Sequence, residues 1–172
     1  ANFKTGFPFL RLTETASIYH GLIKLSEDEI QKYSSVFDQK VSDGLSLLKF
    51  VPASGAASRM FKTLFSALEA LQAGAEFSEI VKDKEVALFF EQLPKFAFYN
   101  DLKEIAAREN KTIEQIQAKE ILEWVLLAKG LNYGEQPKGL LKFHSYPEEV
   151  RSSMEEHFVE GALYSKNSEG CV

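Results

Sequence analysis

The stretch that most constrains this chain runs from Leu47 to Met60 and reads L-L-K-F-V-P-A-S-G-A-A-S-R-M. Its first residues are apolar apart from one lysine, and Pro52 ends the run because proline has no N–H to donate to a β-ladder. This pattern predicts a buried strand. The residues from Ser54 to Ser58 carry almost no side-chain bulk, so a ligand can approach their backbone closely.

An amphipathic helix is predicted to open near Ser58, because apolar residues then recur every three or four positions: Met60, Phe61, Leu64, Phe65, Leu68 and Leu71. The first amides of a helix are unpaired and its dipole is positive there, so the turn before it suits an anion such as phosphate. Arg59 would add a planar fork of donors. A strand-to-helix connection whose small residues only permit tight packing is the equally open alternative.

The rest of the chain is predicted to be mostly helical. Capping and periodicity signals predict helices at about Glu27–Ser42, Ser78–Leu93, Asp101–Asn110, Thr112–Lys129 and Pro147–Tyr164. The apolar residues Leu140, Leu141 and Phe143 predict a second short strand, from about Gly139 to His144. Residues 1–25 have no clear periodicity and are expected to form an extended arm.

Composition excludes two classes of partner. The net charge of −5 gives no basic surplus for nucleic acid, and no apolar run approaches the length of a membrane span. The single cysteine, Cys171, has no partner for an internal disulfide, which favours a reducing compartment such as the cytoplasm. The 172 residues suit one domain.

Two pieces of the sequence belong together: P-A-S-G-A-A-S-R-M at residues 52–60 and P-K-G-L-L at residues 137–141. They resemble the nucleotidyltransferases that make sugar nucleotides, whose signature is P-A-G-G-x-G-T-R-M followed by P-K-x-L-L. Ser54, Ala57 and Ser58 stand where that signature has Gly, Gly and Thr, which narrows the backbone options of the loop. The superfamily keeps its two pieces close in sequence, so residues 62–136 are expected to be a helical insertion.

The chain as a whole resembles an uncharacterised bacterial family described only as domain of unknown function 4301. The resemblance lies in F-K-T-G-F-P-F-L near the start, in the loop region and in V-E-G-A-L-Y-S-K-N at residues 159–167. It supplies no activity. It implies that residues 1–172 are the N-terminal part of a longer protein, whose acidic metal ligands would lie downstream.

Together these resemblances imply an α/β fold: a helix-rich fragment of a nucleotidyltransferase-like, Rossmann-like parallel sheet. Its two adjacent strands would be Leu47–Ala53 and Gly139–His144, and the open sheet edge would allow self-association.

The function implied is transfer of a nucleotidyl group from a nucleoside triphosphate to a phosphorylated or alcohol acceptor, with Mg²⁺ bridging the phosphates. By resemblance, Arg59 and Lys138 neutralise the leaving pyrophosphate. The nucleotide-binding loop consists of Ala53, Ser54, Gly55, Ala56, Ala57 and Ser58. The alternative from another class is a non-catalytic helical interaction module on a degenerate scaffold of the same kind.

The three histidines, His20, His144 and His157, are scattered and lack the spacing of a metal site. We therefore expect them to be structural or exposed. His144 is the exception to follow, since it would end the strand that comes after Lys138.

Overall fold

The computed structural model describes residues 2–52, 55–167 and 169–170. Its contacts divide the chain into two compact units, residues 1–46 with 167–169 and residues 47–166 with 170–172. Each unit is described by itself. The single domain expected from length stays a prediction.

In the part that the structure describes, the first unit contains a one-turn helix, a long helix and a small parallel sheet. Helix α1 spans Asn2–Thr5, strand β1 (Ser17–Ile18) pairs in parallel with β2 (Gly21–Leu22), and helix α2 spans Glu27–Ser42. The capping box predicted for α2 is confirmed, since the Ser26 amide donates to Glu29 Oε2 at 2.8 Å and the Glu29 amide donates to Ser26 Oγ at 3.3 Å. No residue of α2 is buried.

The second unit is a helical body followed by a small antiparallel sheet and a last helix. Its α-helices are α3 (Lys62–Gln72), α4 (Phe77–Ile80), α5 (Lys84–Gln92), α6 (Tyr99–Arg108), α7 (Ala118–Leu126) and α8 (Ser153–Tyr164). Short 3-10 helices lie at Leu93–Lys95, Ile113–Gln115 and Lys138–Leu140. Strand β3 (Lys142–Ser145) pairs antiparallel with β4 (Val150–Ser152).

The core of this unit lies between α3, α5, α6 and α7. Its largest fully buried side chains are Val86, Leu102, Leu122, Val125, Leu126 and Leu141. Aromatic rings run through it, with Tyr133 packed against Phe61 at 6.1 Å and against Phe98 at 5.3 Å between ring centroids. The Tyr133 hydroxyl accepts the Lys142 amide at 3.3 Å, so the core also holds the start of β3.

The predicted strand pair differs from the structure. Residues 47–52, the described part of the first predicted strand, form no ladder, and Leu48 and Phe50 are 88% and 82% exposed. The second predicted strand is a 3-10 turn at its start and a strand only from Lys142, and its partner is β4. Residues 47, 49 and 51 are partly buried, and the contact recorded for Lys49 in place of ladder bonds is an ion pair with Glu160 of α8 at 2.6 Å.

Several helix boundaries also differ. Helix α3 begins at Lys62 rather than near Ser58, because a turn follows the loop. The helix predicted from Ser78 is divided at Asp83, whose Oδ1 accepts the Glu85 amide at 2.8 Å and so caps α5. The helix predicted from Thr112 becomes a 3-10 turn and then α7. The helix predicted from Pro147 begins only at Ser153, because Val150–Ser152 pairs with β3.

Candidate functional site

The two pieces of the predicted signature meet in space. Ala56 and Pro137 form an antiparallel bridge, and the Lys138 amide donates to the Gly55 carbonyl at 2.9 Å. The chain therefore leaves this point at Ala56, builds the helical body and returns to the same point at Pro137. Ala53 and Ser54, the first two residues of the predicted binding loop, lie outside the described residues.

A tight turn presents the charged residue of the loop. The Met60 amide donates to the Ala57 carbonyl at 2.8 Å, and the Ala57 side chain is 0% exposed in the core. Ser58 and Arg59, in the middle of the turn, are exposed. Ala57 is thus the anchor of the loop rather than part of its binding surface, which the sequence did not indicate.

A cleft of about 490 Å³ lies between the loop, the 3-10 turn at Lys138 and the first turns of α8. Its lining residues share small size, polarity or positive charge; they are Pro52, Gly55, Ala56, Ser58, Arg59, Lys138, Gly139, Ser153 and His157. Three of the six residues predicted for the loop, Gly55, Ala56 and Ser58, line the cleft together with Arg59 and Lys138. Ala57 is buried in the core instead, and the other two positions lie outside the described residues.

The charged side chains that line this cleft are positive. None of its lining residues carries a carboxylate, and neither Arg59 nor Lys138 forms an ion pair within the part of the chain that the structure describes. Arg59 brings a planar fork of donors and Lys138 a compact ammonium. The cleft can therefore accept an anion with several oxygens, and it offers a cation no counter-charge.

Helix α8 supplies the wall that the sequence interpretation missed. Ser152 caps this helix, since its Oγ accepts the Glu155 amide at 3.3 Å, and the Ser153 amide donates to the Leu141 carbonyl at 3.3 Å. Ser153 and His157 are four residues apart and so share one face of the helix, which lines the cleft. His157, which we expected to be merely structural or exposed, is a cleft residue.

A polar cluster supports His157 from behind. His157 Nδ1 lies 3.2 Å from Glu160 Oε2, and the same oxygen accepts Lys49 Nζ at 2.6 Å and the Tyr164 hydroxyl at 3.0 Å. The hydrogen bonds from Lys49, then from His157 and Tyr164, lower the pKa of the Glu160 carboxyl from 4.5 to about 2. Glu160 is therefore ionised at neutral pH.

The spacing Ser153, His157 and Glu160 was the available sequence signal for this wall. Positions i, i+4 and i+7 of a helix lie on one face, so a serine, a histidine and a glutamate at that spacing fall together. The prediction of a helix starting at Pro147 already contained this face. His144, the histidine singled out from the sequence, lies on β3 and does not line the cleft.

The predicted Mg²⁺ finds no ligand set here. In residues 2–52, 55–167 and 169–170 there is no group of three or more His, Cys, Asp or Glu side chains placed to hold a metal ion. The cleft itself is lined by cations and hydroxyls, whereas Mg²⁺ takes carboxylate and phosphate oxygens. The described residues therefore do not fit this metal by themselves.

Fold and cleft together define a helix-rich protein with a cationic cleft, at the point where a long helical segment begins and ends. Comparison with known families matches residues 1–172 to one of them, Domain of unknown function (DUF4301). The chain belongs to this family, which confirms that part of the sequence interpretation. No curated protein matches the chain, and neither does any solved structure. Among the described helices, none has the length and apolar character needed to cross a membrane.

Proposed function

We propose that this protein binds the phosphate chain of a nucleoside triphosphate in the cleft and transfers a nucleotidyl group to a phosphorylated or alcohol acceptor. The observation that carries the proposal is the meeting of Arg59 and Lys138 on one cleft that has no carboxylate in its lining. Both residues match the nucleotidyltransferase signature, and they are far apart in sequence. A bacterial, cytoplasmic setting is part of the same proposal.

The chemistry assigned to the two cations follows from the reaction. An acceptor oxygen attacks the α-phosphorus, the bond from that phosphorus to the β-phosphate oxygen breaks, and pyrophosphate leaves with its electron pair. Negative charge on the departing oxygens grows in the transition state, so cations fixed beside them lower the barrier more than they strengthen substrate binding. Arg59 and Lys138 would hold this leaving group. We assign no step to Mg²⁺.

The insertion interpretation has support of its own. The predicted insertion, residues 62–136, lies within the segment 57–136, which begins and ends at the bridge between Ala56 and Pro137. The two pieces of the signature are therefore adjacent in space on either side of that segment. Residues 57–136, all of which the structure describes, form helices, turns and loops and contain no strand. The helical body can thus be an addition that leaves the two halves of the motif in register.

The test is a calorimetric titration of the full-length protein with a panel of nucleoside triphosphates and with inorganic pyrophosphate, with and without Mg²⁺. Arg59→Ala and Lys138→Ala should each weaken binding by about tenfold or more, because a hydrogen bond to a charged group contributes about 1.5–3 kcal/mol. Lys95→Ala is the matched control, since Lys95 is an exposed cation outside the cleft. Heat that is unchanged in both cleft variants would contradict the proposal.

The alternative, a helical interaction module, has one specific observation in its favour. Helix α2 carries Ile30, Tyr33, Val36 and Phe37 at exposed fractions of 39% or more, and an apolar helix face of this kind is typical of a binding surface. If the full-length protein gives no heat with any nucleotide or with pyrophosphate, the enzyme proposal is wrong and this alternative takes its place.

A further inference from the structure

We propose that His157 is the third phosphate-binding group of the cleft and that it binds as the imidazolium, so that filling the cleft takes up one proton. The inference rests on the proposed function, because it requires a phosphate between Arg59 and Lys138. His157 would then be a phosphate-binding side chain that lies outside the predicted signature. The bound group would be a phosphate whose oxygens are fully deprotonated.

The position of the ring carries the first step. His157 lines the cleft together with both cations, and its Nδ1 is engaged by Glu160 Oε2 at 3.2 Å. Its other nitrogen, Nε2, has no hydrogen-bond partner among the residues described. One edge of the ring is therefore fixed by the cluster behind it, and the other edge is available to a ligand.

The protonation state follows from the nature of Glu160. An ionised carboxylate only accepts hydrogen bonds, so Nδ1 of His157 must carry the hydrogen that lies between them. In the neutral ring Nε2 then holds a lone pair, which would face the lone pairs of a phosphate oxygen. Protonation converts Nε2 into a donor, and the imidazolium then bridges Glu160 and the phosphate. A hydrogen bond from Nε2 to a deprotonated phosphate oxygen therefore requires the protonated ring.

The charges around the ring agree with this coupling. On the cluster side, Lys49 and Tyr164 share Glu160 with His157, so the negative charge of that carboxylate is already partly neutralised. Across the cleft, Arg59 and Lys138 carry the other two positive charges of the lining. A phosphate dianion is attracted by both of them and by the protonated ring.

The elements packed against α8 add few free charges. On β3, Lys142 is paired with Asp101 at 2.8 Å, and His144 is the remaining titratable group. On β4, Arg151 is paired with Glu149 and with Glu156. The charge that changes most at His157 when the cleft fills is therefore that of the ligand.

The direct test follows the three histidines of the full chain by NMR as pH is varied, with and without saturating inorganic pyrophosphate. The midpoint of the His157 titration should move up by about one pH unit or more on binding, which corresponds to about tenfold tighter binding to the protonated ring. His20, which pairs with Glu14 in the first unit, is the internal reference and should not move.

A second measurement counts the proton. Calorimetric titration with pyrophosphate in two buffers of different ionisation enthalpy gives the protons taken up, and His157→Gln gives the part that comes from pyrophosphate itself. The wild type should take up more protons than the variant and lose affinity more steeply between pH 6 and pH 8. In Glu160→Gln the amide can donate to Nδ1, so a neutral ring can present Nε2–H, and the extra proton uptake should disappear while pyrophosphate still binds.

The outcomes separate this inference from the proposed function. If wild type and His157→Gln bind pyrophosphate with equal affinity and equal proton uptake, His157 is not a ligand, and the anion cleft stands without it. If wild-type protein binds neither pyrophosphate nor a nucleoside triphosphate at any pH, the cleft proposal is overturned together with the inference.

Discussion

Replacement of Ala57 by glycine tests whether the loop is shaped by packing or by ligand binding. Glycine is the residue that the nucleotidyltransferase signature has at this position, so a purely functional interpretation expects the change to restore nucleotide affinity. The structure gives the opposite expectation, because the Ala57 methyl is 0% exposed and belongs to the core formed with Phe61, Leu64 and Leu141. We predict that Ala57→Gly destabilises the second unit and does not improve binding.

The magnitude has two parts. Removing one buried methyl costs about 0.8 kcal/mol in transfer free energy, before any cavity is counted. The added backbone freedom of glycine costs a further 0.5–1 kcal/mol or so, which gives about 1.5 kcal/mol in total. Ala56→Gly is the matched control, since it is the same substitution at an exposed neighbouring position. It should show only the backbone part.

The assay is urea unfolding followed by the fluorescence of Trp124. This is the only tryptophan of the chain, it is 4% exposed, and it lies in the same core as Ala57. The signal therefore reports on the second unit even if the two units unfold separately. Equal losses of stability for the two variants, or tighter pyrophosphate binding by Ala57→Gly, would refute the argument that packing sets this residue.

Two further predictions concern the same unit. Gly130→Ala should lower the free energy of unfolding by about 1–3 kcal/mol, because an added Cβ would overlap the Trp124 carbonyl oxygen. Gly55→Ala is the control, since its Cβ would meet nothing within 4 Å, and urea unfolding followed by Trp124 fluorescence measures both. Glu160 stabilises the fold above its unfolded pKa of about 4.5, and this contribution is lost as pH falls towards its folded pKa of about 2. The urea midpoint of the wild type should therefore drop across this range, and Glu160→Gln should drop less; equal slopes would contradict the role of the Glu160 cluster.

Local signals in the sequence predicted what depends on local physics. The capping box at Ser26 predicted the start of α2, and Asp43-Gly44 predicted its end. Both signals act within a few residues of the helix terminus. The apolar repeat also identified α3, whose C-terminus is closed by Gly74 at φ +96°.

These local signals do not show which distant segments of the chain pair with one another. Leu47–Val51 has the composition of a strand, but composition does not specify a partner, and the segment is held by the Lys49–Glu160 ion pair instead. Val150–Ser152 was assigned to a helix because Pro147 and two glutamates resemble a helix start. Its pairing with β3 overrides that local preference, and Ser152 then caps α8.

The candidate site shows the same division. Arg59 and Lys138 were predicted because a motif fixes their residue types, and the structure brings them to one cleft. Lys49 and His157 belong to no recognised motif, and only the packing of residues 47–51 against α8 gives them a common partner. The charge behind the cleft could not be inferred before that contact was known.

The cleft depends on the core in a way that links stability to binding. Each half of the cleft contains or adjoins a fully buried residue, Ala57 within the loop and Leu141 after the turn at Lys138, and both side chains belong to the same core. The Leu141 carbonyl also accepts the Ser153 amide, which positions the start of α8. All three walls are thus fixed by one hydrophobic cluster formed largely by the helical segment between Ala56 and Pro137. The helical segment between Ala56 and Pro137 therefore supplies much of the packing that holds Arg59, Lys138 and His157 on one cleft.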